Sequence, residues 1–279
     1  AIAGVGMMLL TGYTGQISLG HAAFFGVGAY TEAVLIEAGW PFLLSFPTAG
    51  LLAGAVGVAI GLPALRLTGL YLAIATLAFA FIVEEVLARW ESVTHGHEGM
   101  AGGDISLLGM DIDTEWKLYY IAVAVLVLVM LGTLNILRSP TGRAFVAIRD
   151  SEHAAQSLGV NLATTKTLAF AISAAFTGLA GALYAHKLLY ISPEAFTIFM
   201  SIELLLMVVI GGLGSLHGVV FGAAFVILLP QAIAFFRDKL PSMVAEQPVL
   251  ESACFGLILV LVILFAPLGI YCLLYTSPS

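Results

Sequence analysis

Two stretches of this chain, Leu118–Leu137 and Thr167–His186, contain no Asp, Glu, Lys or Arg. Each is about 20 residues long, which at 1.5 Å per residue covers the roughly 30 Å hydrocarbon core of a bilayer. Where lipid surrounds such a run, its backbone polar groups must be satisfied inside a helix. The rest of the chain obeys the same constraint. Only 10% of the 279 residues are charged and 61% are hydrophobic, whereas a soluble domain carries roughly 25% charged residues. The reading is an all-α polytopic membrane protein, with about 8 transmembrane helices plus a partial N-terminal one, forming a single domain over 1–271. A net charge of −7 without a basic, aromatic-interleaved patch gives no reason to expect nucleic acid. Membrane lipid is the expected surrounding. Cys254 and Cys272 make neither a disulfide framework nor a metal spacing.

Two other uncharged runs, Ala1–Thr31 and Leu204–Phe236, exceed the roughly 17–25 residues that one span requires. Each is interrupted by glycines and polar side chains, the first over Gly12–His21 and the second over Gly211–Gly218. Several glycines together favour a break in a helix. Either each place is a tight helical hairpin, or the pair marks discontinuous helices beside a transport path. On the second reading, Gln16, Ser18, His21, Ser215 and His217 lie on or beside the conduit. His21 and His217 read equally well as structural histidines.

Small residues form two stripes. Gly50, Gly54, Gly57 and Gly61 share one face of a span expected over Ser45–Leu65. Ala171, Ala174, Gly178, Gly181 and Ala185 share one face of Thr167–His186. Such stripes let helices approach closely in lipid. Further spans are expected over Gly69–Arg89 and Ser252–Tyr271. Glu84 and Glu85 stand about 27 Å along the helix from Arg66, at the outer rim. Trp90–Lys117, Lys187–Ile202 and Arg237–Glu251 read as external connections. His95, His97 and Glu98 lack a fourth ligand, so no metal or cofactor is expected.

Residues 138–166 form an amphipathic island with the densest basic patch, Arg138, Arg143, Arg149 and Lys166. Such a loop is retained on the cytoplasmic side. The basic residues otherwise divide evenly, Arg66 joining those four against Arg89, Lys117, Lys187, Arg237 and Lys239. Two short helices are expected. Thr141-Gly142 opens the first, with Phe145 and Ile148 on one face. Asp150 or Ser151 caps the second, and Gly159 takes the left-handed position past its end. Ala154, Ala155 and Leu158 make a small apolar face there. The island is either a solvated loop with helical character or a helix offered to a soluble partner's groove.

Glu152-His-Ala154-Ala155 followed by Gly159 resembles the E-x-A-A-x-x-x-G coupling loop of ABC importer permeases. The surrounding GRAFVAIRDSEHAAQSLGVN resembles the branched-chain amino-acid importer permeases, the M-type of their two membrane subunits. Thr11–Tyr30, Val209–Gly222 and Thr94-His-Gly96-His-Glu-Gly99 extend the likeness. The resemblance implies an importer in a prokaryotic inner membrane. Its parts would be a second permease subunit, two cytoplasmic ATPase subunits and an external substrate-binding protein. It further implies that Gly142, Arg143, Ile148, Arg149, Asp150, Glu152, Ala154, Ala155, Leu158 and Gly159 couple to the ATPases. The cargo would be a branched-chain or related amino acid, with urea or a short amide as the alternative.

No G-x-x-x-x-G-K-[ST] loop and no catalytic constellation occurs, so a transport subunit is expected rather than an enzyme. ATP hydrolysis would then belong to a partner. An ion-coupled carrier usually places charged groups at membrane depth, and the apolar runs hold none. A passive channel would line a filter with its glycine breaks. Neither alternative explains the island. Permeases of this kind continue from F-x-P-x-G into a basic end, whereas this chain reads Cys272–Ser279. That tail is expected to be foreign, and the N-terminus, which lacks Met, to be incomplete.

Overall fold

In the computed structural model, the described residues are 1–64, 67–103, 106–107, 110–111, 115–188 and 190–237, with single positions 256, 260 and 264. The span expected over Ser252–Tyr271, the 272–279 tail, and Arg66, Lys239, Cys254 and Cys272 lie outside them. Almost everything described is helical. Among the described residues, five helices are long and apolar enough to cross a membrane: α3 (Phe42–Ala64), α4 (Leu70–Arg89), α6 (Glu115–Arg138), α9 (Leu162–Leu188) and α11 (Leu216–Arg237). Shorter apolar pieces are Ile2–Tyr13, which begins as α1 (Ile2–Met8), and α10 (Ile198–Gly211). Between them runs α2 (His21–Glu37). The chain is therefore a multi-pass helical membrane protein.

Helix α9 is the mast, and the two small-residue stripes explain why. Gly57 lies against Ala174 and the Phe170 carbonyl, Gly54 against Ala171 and Ala175, Gly50 against Leu179, and Gly61 against Thr167. The stripes read separately in α3 and α9 are thus two sides of one seam. The other edge of α9 receives α2, where Gly178 meets Gly28 and Gly181 meets the Phe25 carbonyl. A methyl group at Gly28 or Gly181 would enter a neighbour's backbone. In lipid such backbone approach, rather than apolar burial, holds helices together. Helix α6 contrasts with this, presenting Trp116, Tyr119, Tyr120, Leu128 and Leu131 outward.

The connections expected outside carry short elements: α5 (Glu91–Thr94), β1 (Met100–Ala101), β2 (Ser106–Leu107), β3 (Met110–Asp111) and β4 (Tyr190–Ile191). β1 pairs antiparallel with β4, and β2 with β3. Among the acids at this end, Glu85 pairs with Arg89 one helical turn along α4.

The island folds into α7 (Pro140–Asp150) and α8 (Glu152–Ser157). Helix α7 opens earlier than Thr141-Gly142, because Ser139 caps it and Pro140 takes the first helical position, where its missing N–H costs nothing. Ser151, rather than Asp150, caps α8 by accepting from the Ala154 N–H at 3.3 Å. Gly159 has φ +86°, as its place past the helix end requires. The small apolar face does not close within the chain. Ala155 is buried, but Ala154 is exposed and Leu158 is 83% exposed. Lys166, expected in the loop, is instead a buried residue of α9.

Candidate functional site

The first break is irregular over Gly15–Gly20, after a π-helical turn at Leu9–Tyr13. Its amides are satisfied by hydroxyls from neighbouring helices. The Leu19 N–H donates to Thr76 Oγ1 of α4 at 3.0 Å, and the Ala22 N–H to Ser201 Oγ of α10 at 2.9 Å. Irregular backbone at membrane depth needs such protein cover. His21 is fully buried. Ser173 Oγ donates to the Gly6 carbonyl at 2.7 Å, so it must accept from His21 Nε2, 2.8 Å away. The hydrogen-bond network therefore assigns the Nε2–H tautomer, and Nδ1 accepts from Ser18 at 3.1 Å. Both ring nitrogens are occupied by the chain itself. Gln16 Nε2 donates to Thr14 Oγ1 at 2.9 Å, while its buried Oε1 has no protein partner among the described residues.

The second break follows Gly211. Ser215 Oγ accepts from the Gly218 N–H at 3.1 Å and so caps α11; His217 is exposed. The two breaks meet. Tyr13 donates its hydroxyl hydrogen to the Gly214 carbonyl at 2.7 Å. A Cβ added to Gly12 would stand 2.8 Å from the Gly214 nitrogen, so only glycine permits this approach. Arg149 of α7 reaches the same junction, with Nη1 donating to the Gly12 carbonyl at 3.2 Å. Thus Gln16, Ser18 and His21 belong to one break, Ser215 and His217 to the other, and α7 touches their meeting point.

The remaining island residues sort by direction. Gly142 lies against the Leu137 backbone, and Ile148 and Ala155 are buried. Glu152 pairs with buried Lys166 at 2.7 Å, tying α8 to α9. Arg143, Asp150, Ala154, Leu158 and Gly159 form an outward surface.

A second polar cluster was not expected. Glu32 and His186 are both buried, with His186 Nε2 3.0 Å from Glu32 Oε1. Ser45 donates to the same oxygen at 2.7 Å, and His186 Nδ1 is 3.1 Å from the Gly103 carbonyl. This corrects the expectation that no ionisable group is buried in the apolar region. Glu32 directly follows the run ending at Thr31, and His186 closes the run beginning at Thr167. Neither position drew a reading of its own from the sequence. Ser173, Thr76 and Ser201 were missed for another reason: a lone hydroxyl in an apolar helix carries no partner signal. No group of three or more His, Cys, Asp or Glu able to hold a metal occurs among the described residues.

A multi-pass helical bundle with two joined discontinuities and an exposed helix pair is the architecture of a membrane protein suited to transport. The sequence comparisons agree with that class. A family profile described as "Branched-chain amino acid transport system / permease component" matches residues 1–265. The chain belongs to this family. It is 35% identical over 262 residues to the "High-affinity branched-chain amino acid transport system permease protein LivM" of Escherichia coli (strain K12), covering 85% of this chain and 62% of that relative. It is also 25% identical over 232 residues to the "Probable branched-chain amino acid transport permease protein LivM" of Methanocaldococcus jannaschii, covering 82% and 67%. The "Autoinducer 2 import system permease protein LsrC" of Enterobacter sp. (strain 638) is 27% identical over 237 residues, covering 80% and 65%. The chain thus spans 62% of the length of the Escherichia coli relative. No solved structure matches it.

Proposed function

We propose that this chain is the permease subunit of an ATP-driven, binding-protein-dependent importer for branched-chain amino acids. Its partners would be a second permease, two ATPase subunits on the face of α7 and α8, and a binding protein at the opposite face. That arrangement belongs in a prokaryotic inner membrane, with about 8 spans and a partial N-terminal one. The observation that carries this reading is the island. Its outward surface (Arg143, Ala154, Leu158, Gly159) is exposed, while Lys166 and Arg149 fasten its other side to α9 and to the breaks. A push on that surface reaches the membrane helices directly. Gln16, Ser18, His21, Ser215 and His217 would stand on or beside the path so moved, His21 in a supporting role.

The test is uptake into proteoliposomes holding the full complex. Labelled leucine should accumulate only with both ATP and the binding protein. Labelled urea accumulating in its place would move the cargo to short amides. Uptake driven by an ion gradient without ATP would sink the importer reading in favour of a secondary carrier.

Replacing Gly159 by Val puts a β-branched residue at φ +86°, a strain of about 1–3 kcal/mol confined to the elbow after α8. Nothing stands within 4 Å of the added Cβ, so the bundle itself should be unaffected. The expected result is normal membrane insertion with leucine transported per ATP reduced about tenfold. Unchanged stoichiometry would remove the elbow from coupling.

A further inference from the structure

Beyond its place in the island, Arg149 joins three segments far apart in sequence. Its Nη1 holds the Gly12 carbonyl at 3.2 Å, its Nε and Nη2 both hold Asp150 Oδ1 at 3.2 Å, and the added Cβ of Gly214 would lie 3.7 Å from Nη1. The setting explains why a cation sits here. Gly12 lies in the last turn of the helical stretch Ile2–Tyr13, and Gly214 lies in the turn between α10 and α11. The end of the first stretch therefore presents a free carbonyl and the negative pole of its dipole to the guanidinium. Tyr13 satisfies the Gly214 carbonyl and Arg149 the Gly12 carbonyl. Asp150 orients the guanidinium, whose rigid planar fork holds its donors in fixed directions toward two acceptors, where an ammonium's three donors rotate.

We propose that Arg149 is a positioning residue that pins α7 onto the junction of the two broken segments, so that the path at this end stays shut until α7 moves. The proposal rests on the importer reading for what moves α7, but the clasp itself is a property of this chain. When the island shifts, the guanidinium withdraws from Gly12, and the junction keeps the Tyr13 hydrogen bond and the Gly12–Gly214 approach but loses its tie to α7. α7 is thereby a bolt on the path as well as a docking face.

The experiment uses the full complex in proteoliposomes, with Cys254 and Cys272 replaced by Ser and a reporter Thr14→Cys placed in the buried start of the first break. The rate of labelling by a membrane-impermeant thiol reagent is compared for Arg149, Arg149→Lys and Arg149→Met. Losing a charged hydrogen bond should open the break, raising labelling in Arg149→Met about tenfold. Lys, which keeps the charge without the fork, should give a smaller rise. Arg149→Met should also label at one rate with and without vanadate-trapped nucleotide, whereas the parent rate should change between those states. A purely structural role would leave that nucleotide dependence in place.

If Arg149→Met does not assemble, Tyr13→Phe removes the other tie and should raise labelling in the same direction. Labelling at the parent rate in every variant that assembles would overturn the clasp. Faster labelling in a complex whose parent takes up leucine without ATP would keep the clasp and sink the importer reading.

Discussion

Replacing Gly178 by Val is expected to leave little folded protein. A Cβ at Gly178 would collide with that of Ala53 on α3 while already touching the Gly28 Cα on α2 at 3.7 Å, so α3 must retreat from α9 and α2 leaves no room on the other side. Overpacking a tight site costs about 1–3 kcal/mol when side chains can yield. Here backbone must yield as well, and lipid offers no hydrophobic gain in return, because its tails are as apolar as the valine. The expectation is a loss at the upper end of that range or beyond, read as a collapse of the detergent-solubilised Tm. Gly132 of α6 is the control. Its nearest neighbour is the Phe176 ring at 4.0 Å, and Gly132→Ala should be neutral or mildly stabilising. Equal Tm values for Gly178→Val and the parent would show that the three helices are not held as described.

The second large effect belongs to Glu32 and His186. Removing one member of a buried pair strands the other, at about 3–5 kcal/mol. Either Glu32→Ala or His186→Ala should therefore destabilise the chain severely. His186→Ala also strips the Gly103 carbonyl of its donor, removing one tie between the segment after β1 and α9. The double replacement Glu32→Leu/His186→Phe leaves no stranded charge and should be more stable than either single alanine. A double-mutant cycle on denaturant unfolding measures this coupling, which for contacting residues runs about 0.5–3 kcal/mol. Strict additivity would mean that the two groups act independently.

What the sequence made legible was local or periodic. The stripes in α3 and α9 follow from spacing alone, and so does the break at each glycine cluster. The Gly159 conformation follows from its place after a short helix. What was hidden was the identity of partners. Nothing near Arg149 announces Gly12, 137 residues away, and nothing near Glu32 announces His186, 154 residues away. Periodicity also says which residues share a face without saying what covers it. Ala154, Ala155 and Leu158 do share one, yet α9 takes only Ala155 and leaves Leu158 outward. Lys166 looked like a loop cation because the apolar run starts just after it. The helix begins four residues earlier, and Glu152 compensates its burial.

The seam between α3 and α9 carries one more consequence. At its middle, Gly54 and Gly57 meet Ala171, Ala174 and Ala175, residues with no rotamers to lose; only at its ends do Gly50 and Gly61 meet Leu179 and Thr167. A seam of leucines would have to freeze each side chain it used, at roughly 0.5–1 kcal/mol apiece. The middle of this one surrenders little beyond the rigid-body freedom of two preformed rods. It can therefore close as soon as α9 is in place, without waiting for side chains to order, and α10 and α11, which follow in the chain, are added to a template that is already solid.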